Sequence, residues 1–345
     1  MDHINIIKRA FTITWSYRVL WVFGFLLALT LPRNNGSSNS GVQFSGNDFQ
    51  GGGPFPNFPV IPPQVVSAIV TAVIALVCFF FLLAIVATII RYISETALIR
   101  MVDSNEASGE TVGVGAGFRL GWSRGALRIF LIDLLFGIAG FLAFLLLIGV
   151  AAAPFLVWLT QNQALRVMGT VVGIGMIFLV IALFILIAIV LSVVMHFIRR
   201  SAILGDLGVF EAIGRGFALV RQRLGDIVVM ALLMFAIGLG WIVVSIPAFI
   251  LLLIAAVVLG GLPALLGGAL ASLFSQGALP WIVAGLIGFP IFLLVLIVPS
   301  GFIGGLYETF KSSAWTLTYR EVLALIGTGS DTDGLQPSLE EGAAA

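Results

Sequence analysis

Two titratable side chains lie beside long uncharged stretches of this sequence, and they are its candidates for chemistry in an apolar environment. Asp133 follows Arg128 by five residues, and His196 precedes Arg199 by three. At 1.5 Å per helical residue, Asp133 would lie about 7.5 Å deeper than Arg128. An ionisable group at membrane depth is a functional candidate by default. We predict that Asp133 and His196 pair and join two helices; the alternative is a proton relay or a gate for a cargo.

The usual catalytic and cofactor-binding patterns are missing. Two histidines, His3 and His196, are too few for a histidine-based metal site. The glycine-rich stretch at 113–117 follows no predicted strand, so it is a poor match to a nucleotide-binding loop. A basic, solvent-facing module of the kind that binds nucleic acid is also absent. We therefore predict a non-enzymatic protein with no catalytic residues, cofactor, metal or nucleic-acid partner.

The elements that must position Asp133 and His196 are membrane spans. The chain has 345 residues, of which 60% are hydrophobic and only 10% charged, and its mean hydropathy is +1.16. Soluble domains carry about 25% charged residues, so lipid is the expected solvent. A span takes about 20 apolar residues. Five uncharged runs are long enough, at residues 65–90, 138–158, 167–195, 227–253 and 281–306.

A shorter apolar run, Val19–Leu31, follows Lys8 and Arg9 and resembles a signal peptide. Pro32 makes a poor cleavage site, and the segment recurs later in the chain, so we interpret it as a retained first span. Between the last two runs, glycines and prolines such as Gly260 and Pro263 predict a break in the helix. Segment 254–282 is therefore predicted to be an apolar external connection, either a short interfacial helix or a re-entrant segment. The predicted fold is all-α, a polytopic bundle of six transmembrane helices.

The basic residues predict the orientation of these spans. Of the 17 Lys and Arg residues, all but Arg33 and Arg166 fall on one side of the six-span arrangement. Positive charge near a span is retained in the cytoplasm. We predict a multi-pass protein of the bacterial plasma (inner) membrane with both termini cytoplasmic.

The chain also contains a threefold repeat of about 100 residues. The repeats cover about 4–101, 110–206 and 209–321, and the segment Phe11–Arg18 of the first matches Phe118–Arg124 of the second. Each returning span ends in a matched pair of small residues: Thr96-Ala97, Ser201-Ala202 and Ser313-Ala314. The repeats share one orientation, so we predict three parallel helical hairpins rather than an inverted repeat.

Each repeat begins with an amphipathic segment, which we call an elbow helix. Such helices lie in the membrane interface and favour anionic headgroups. We predict that the elbow helices lie on the cytoplasmic side and that the arginines in and beside them contact anionic lipid. These arginines are Arg18, Arg119, Arg124, Arg128, Arg215, Arg221 and Arg223.

We predict one membrane domain at 1–326. Inside it lies a disordered external loop at 32–64, because this stretch is rich in Gly, Pro, Asn and Ser. Residues 327–345 are predicted to form a disordered acidic cytoplasmic tail.

Two motifs carry a resemblance to a known group. The Phe11 to Ser16 motif before the first span and the closing segment Ala314–Arg320 look like those of uncharacterised bacterial six-span membrane proteins. That group resembles the membrane domain fused to some glycerophosphodiester phosphodiesterases. No segment here could form the catalytic domain of those enzymes, so the resemblance implies the membrane fold without the activity.

The expected function is that of a non-enzymatic integral membrane protein that binds lipid or a partner and organises the envelope. The expected partners are membrane lipids, anionic ones included, and a membrane protein. The alternative is a transporter or permease-like component for an apolar or lipid-like substrate. A central polar cavity around Asp133 and His196 would favour this alternative.

Overall fold

The structure, a computed structural model, describes residues 1–30, 63–274, 277 and 279–333. Every regular element in these ranges is helical, which confirms the predicted fold class. The α-helices are α1 His3–Ser16, α2 Val19–Thr30, α3 Pro63–Ser108, α4 Val114–Gly121, α5 Arg124–Ala152, α6 Gln163–Leu204, α7 Val209–Gln222, α8 Leu224–Ser272 and α9 Leu279–Asp333. A 3₁₀ segment, Ala153–Leu159, continues α5.

Five of the described helices are long and apolar enough to cross a membrane. Their spanning portions are Val73–Ser108, Arg124–Leu159, Gln163–Leu204, Leu224–Ser272 and Leu279–Gly327. A sixth candidate is the pair α1 and α2, which is bent by 99° at the break between them. Helix α2 alone has 12 residues, about 18 Å, and is therefore shorter than a hydrocarbon core of about 30 Å.

Contacts divide the chain into two compact units, residues 1–29 with 92–345, and residues 30–91. In the second unit, the part of α3 at 73–90 carries mostly exposed, apolar side chains. This exposure is expected of a helix whose solvent is lipid, because hydrocarbon accepts apolar side chains on every face.

The first unit contains three short helices, α1, α4 and α7, at the predicted elbow positions. Each precedes an apolar helix, respectively α2, α5 and α8. Helix α4 packs on the C-terminal part of α3, α7 packs on α6, and α1 packs on α9. We call this end of the molecule, at the C-terminal parts of α3, α6 and α9, the inner end. Each elbow helix therefore contacts a helix that ends a predicted repeat, and the first elbow contacts the last such helix.

Small residues make these elbow contacts close. Ala10 of α1 is fully buried, and Gly117 and Gly216 lie at the matched positions of α4 and α7. A Cβ on Gly117 would lie 2.7 Å from the ring of Phe23, and a Cβ on Gly216 would lie 2.9 Å from the Cα of Ile198. Neither position has room for a larger side chain.

The buried core lies at the inner ends of α3, α6 and α9, where the elbow helices pack. The matched pairs Thr96-Ala97, Ser201-Ala202 and Ser313-Ala314 are all completely buried. The sequence identified these pairs as matched elements, and in the structure all six residues are buried. Apolar side chains in the outer parts of the helices are largely exposed, because lipid provides little drive to bury them.

The prediction for segment 254–282 is wrong. Helix α8 continues without a break to Ser272, through Pro247 and Pro263, and α9 begins at Leu279. Gly260 and Gly288 face each other across the two helices, and a Cβ on Gly260 would lie 2.9 Å from the Gly288 carbonyl oxygen. The glycines that suggested a break instead allow two long helices to touch, as small residues do in membranes.

The ends of the predicted loop and tail also differ from expectation. Residues 63 and 64 belong to α3, and residues 327–333 belong to α9 rather than to a disordered tail. The remaining predictions for 32–62 and 334–345 lie outside the described residues.

The packing of α7 on α6 predicts opposite outcomes for two glycines on one helix. Gly216→Ala should destabilise the protein by about 1–3 kcal/mol, because the added Cβ meets the backbone of Ile198. Gly214→Ala meets nothing within 4 Å and should be neutral or stabilise by up to about 1 kcal/mol. Thermal unfolding in detergent micelles measures both. Equal losses in the two variants would contradict the assigned contact.

Candidate functional site

A charged cluster joins three helices at their inner ends, and Arg199 of α6 is its centre. The guanidinium donates from Nη2 to Asp133 Oδ1 and Oδ2 of α5 at 2.8 and 2.9 Å, and from Nη1 to Glu95 Oε1 of α3 at 2.7 Å. The Tyr92 hydroxyl donates to Asp133 Oδ2 at 3.1 Å. The side chains of Arg199, Asp133 and Glu95 are 19%, 14% and 13% exposed. One arginine therefore holds two carboxylates that are mostly removed from water.

The structure does not pair Asp133 with His196, so the predicted partner is wrong. The His196 ring stacks on Trp315 of α9, with centroids 4.7 Å apart and planes 16° apart. Arg199 binds Asp133 instead, because a guanidinium presents a planar fork that matches a carboxylate and an imidazole does not. The expectation that Asp133 joins helices stands with this different partner.

A second arginine next to Arg199 joins α6 to α9. Arg200 is 3% exposed, and its Nε donates to Thr316 Oγ1 at 3.2 Å. Its Nη1 donates to the His196 carbonyl oxygen at 2.9 Å, and its Nη2 to the Ser312 carbonyl oxygen at 3.0 Å. Arg199 therefore reaches α3 and α5, while Arg200 reaches α9.

Sequence reasoning missed Arg199, Arg200 and Glu95 as site residues. It counted both arginines among the topology-setting positive charges of an inner loop, although α6 continues to Leu204. The available signal was that Arg199 and Arg200 directly precede the matched pair Ser201-Ala202. Residues that precede a repeated helix contact are candidates for that same contact.

Further ion pairs join the elements at the inner end. Arg9 of α1 pairs with Glu106 of α3, and Arg320 Nη1 of α9 lies 2.9 Å from Asp103 Oδ1 of α3. At the start of α8, the carbonyl oxygen of Asp226 lies 3.0 Å from His3 Nε2. These contacts bind the first elbow helix and the last helix to α3 and α8.

The structure separates the seven predicted lipid-contacting arginines into two groups. Arg128 forms an ion pair with Asp206, and Arg223 Nη2 donates to the Leu325 carbonyl oxygen at 3.3 Å; both are only partly exposed. The side chains of the other five are exposed and form no ion pair or hydrogen bond within the described chain: Arg18, Arg119, Arg124, Arg215 and Arg221. The guanidinium groups of these five arginines are therefore available to bind an anion from outside the chain.

Large apolar side chains are exposed beside these arginines. Trp15 is 62% exposed in α1, Trp122 is 74% exposed at the end of α4, and Phe210 is 79% exposed in α7. The small residues of each elbow helix face the protein, whereas these aromatic residues face outward. In a water-soluble protein the large apolar residues of a helix would face the core instead.

The described residues contain no group of three His, Cys, Asp or Glu side chains that could hold a metal ion. The polar groups of the inner end are instead arranged as ion pairs and as exposed arginines.

Comparison with known proteins identifies the family of this chain. Residues 9–318 match the family of unknown function DUF7544, and the chain belongs to that family. The match begins in the first elbow helix and ends within the buried part of α9. No match was found among curated proteins or among solved structures.

The cluster around Arg199 predicts different results for the two residues that the sequence paired. Asp133→Asn should lower the free energy of unfolding by about 1–3 kcal/mol, because Arg199 loses half of its ionic partners. His196→Phe keeps an aromatic ring against Trp315 and should cost less. Thermal unfolding of both variants in the same detergent provides the measurement. A larger loss for His196→Phe would contradict the pairing with Arg199.

Proposed function

We propose that this integral membrane protein is a non-enzymatic organiser of the envelope that binds anionic lipid, and a membrane-protein partner, at its inner face. The observation that carries the proposal is the set of five exposed, unpaired arginines in and next to the elbow helices, each elbow carrying exposed aromatic residues. Basic and aromatic residues on interfacial helices favour anionic headgroups and the acyl boundary, respectively.

The expected binding free energy supports stable contact between the elbow arginines and anionic lipid. Each basic residue near an anionic leaflet contributes about 1 kcal/mol, so five contribute about 5 kcal/mol if they act independently. The exposed side chains of Trp15, Trp122 and Phe210 add apolar contact with lipid to this term. The ion pairs inside the protein do not compete for these five arginines, because their carboxylates are bound to other residues.

The proposal includes an orientation and a location. Fifteen of 17 Lys and Arg residues lie on the predicted inner side, which supports a bacterial inner-membrane protein with cytoplasmic elbow helices and termini. The repeated order of elbow helix, apolar helix and returning helix supports three parallel hairpins. The resemblance to phosphodiesterase-linked membrane domains stays a prediction.

Neutralising the five arginines should remove the preference for anionic lipid. The quintuple Arg→Gln variant at 18, 119, 124, 215 and 221 should copurify with less phosphatidylglycerol relative to phosphatidylethanolamine than the natural protein does. Arg166→Gln is the control, because Arg166 lies on the predicted outer side and donates to the Thr160 carbonyl oxygen. Mass spectrometry of bound lipids gives the ratio.

An unchanged lipid ratio in the quintuple variant would contradict the proposal. Transport of a lipid-like substrate by the natural protein in vesicles would favour the transporter alternative.

The orientation is tested by labelling single cysteines. In a Cys78→Ser background, Glu110→Cys, in the segment between α3 and the second elbow, should react with an impermeant maleimide only after the cells are opened. Gly277→Cys, between α8 and α9, should react in intact cells. The reverse pattern would contradict the proposed topology.

A further inference from the structure

A cleft lies at the turn between α5 and α6, on the predicted outer side of the protein. One wall is the 3₁₀ segment that continues α5, and the other is the start of α6. The volume of the cleft is about 340 Å³, which falls within the range of about 300–1,000 Å³ of small-molecule sites. The lining residues are Trp158, Gln163, Arg166, Val167, Thr170 and Val171. An aromatic ring, an amide, a cation and aliphatic side chains therefore meet in one concave place.

Close packing holds the two walls of the cleft together. A Cβ on Gly169 of α6 would lie 2.9 Å from the Pro154 carbonyl oxygen of the 3₁₀ segment, so the two backbones nearly touch. Trp158 bridges the walls, because its Nε1 donates to Thr170 Oγ1 at 2.9 Å. The Thr170 hydroxyl in turn donates to the Arg166 carbonyl oxygen at 2.8 Å. These contacts fix the shape of the cleft.

The one cation that lines the cleft is Arg166, and the fold positions its guanidinium. Its Nε donates to the Thr160 carbonyl oxygen at 2.6 Å. Its two Nη groups form no ion pair or hydrogen bond within the described chain. No Asp or Glu lies between Asp133 and Asp206 in the sequence, so the turn and the adjoining parts of both helices supply no carboxylate. The guanidinium therefore presents an unused fork of N–H donors, which suits two oxygens of an anion.

Arg166 also lies in an unusual place for a basic residue. It is the only Lys, Arg, Asp or Glu in residues 134–198. Basic residues at the outer ends of spans oppose the positive-inside rule. A charge that loses part of its hydration beside a membrane needs a polar or anionic partner. The described chain gives this side chain one carbonyl oxygen, so we expect a further partner from outside the chain.

The lining of the cleft changes from polar to apolar along α6. Gln163 and Arg166 lie at the start of the helix. Val171 lies five residues after Arg166, which places it about 7.5 Å nearer the middle of the predicted span. Trp158 is 58% exposed, as is typical of an indole at a membrane–water interface. A phospholipid has the same order of groups, with a phosphate at the surface and acyl chains below it.

We propose that this cleft binds the phosphate of a phospholipid in the outer leaflet, and that Arg166 recognises it. The two Nη groups match two phosphate oxygens, and Val167 and Val171 contact the apolar part of the lipid. The binding site does not rest on the function proposed for the inner face. Only the assignment to the outer leaflet rests on the proposed topology.

The proposed ligand differs from that of the elbow arginines. Phosphatidylethanolamine and phosphatidylglycerol both contain the phosphate, so this site does not select by the net charge of the headgroup. Loss of the site should lower the amount of bound lipid without changing the ratio of these two lipids.

Native mass spectrometry of the full-length protein in detergent micelles tests the site. The probe is dioctanoyl phosphatidylethanolamine, which has no net charge and is therefore attracted little by the elbow arginines. Arg166→Gln should weaken binding about tenfold, the effect of losing a charge-assisted hydrogen bond. Val171→Phe is a second variant that narrows the apolar part of the cleft and removes no hydrogen bond. Val171 is 66% exposed, so the larger side chain has room, and binding should again weaken.

Two controls accompany these variants. Gln161→Ala changes an exposed residue of the same turn that does not line the cleft, and it should bind as the natural protein does. The quintuple Arg→Gln variant at 18, 119, 124, 215 and 221 should also keep this binding. Failure of the inner-face proposal and failure of this one are therefore distinguishable. Thermal unfolding verifies that each variant is folded.

Dioctanoylglycerol, which lacks the phosphate, and inorganic phosphate identify the group that is bound. Phosphatidylethanolamine binding that weakens in Arg166→Gln and Val171→Phe, with no binding of dioctanoylglycerol at the same concentration, supports the proposal. Equal binding by Arg166→Gln and the natural protein overturns it, and so does equal binding of dioctanoylglycerol and the phospholipid. Binding of inorganic phosphate without binding of the phospholipid overturns the lipid as the source of the phosphate.

Discussion

Two adjacent arginines hold the inner ends of this protein's helices together. Arg199 binds carboxylates on α3 and α5, and Arg200 donates to groups on α9. This arrangement follows from the solvent. Between helices in lipid the hydrophobic effect is weak, so association depends on close packing and on polar contacts. The buried core accordingly lies where charged and hydroxyl side chains meet, at the inner ends of the helices, and the apolar outer parts remain exposed.

The same constraint explains the two faces of the elbow helices. Ala10, Gly117 and Gly216 face the protein, because close approach of backbones is the available source of packing energy. The aromatic residues then face outward, which is the arrangement expected of a helix at a membrane interface. Charged residues divide in a similar way. Arg9, Arg128 and Arg320 form ion pairs with acidic residues of the protein. The exposed arginines of α4 and α7 form no ion pair within the described residues.

Hydropathy and charge predicted most of the fold but only part of the site. Helices in lipid need long uncharged runs, and that local property located the spans. The Ser/Thr-Ala pairs, which the sequence marked as matched elements, are all buried in the structure. The prediction failed at Gly260 and Pro263, which resemble helix breakers but lie within α8. A glycine that ends a helix and one that lets two helices touch look alike until the neighbouring helix is known.

By itself the sequence determined that this chain is helical, where its apolar segments lie, and that an acidic residue near the start of α5 would require a partner. These properties depend on residue type and on position along one helix. Only the tertiary structure decided that Asp133 binds Arg199 rather than His196 and that the side chain of Arg128 is paired while that of Arg124 is not. Each of these depends on the axial register and rotation of one helix against another. Those are set by packing among residues far apart in the chain, which no local pattern encodes.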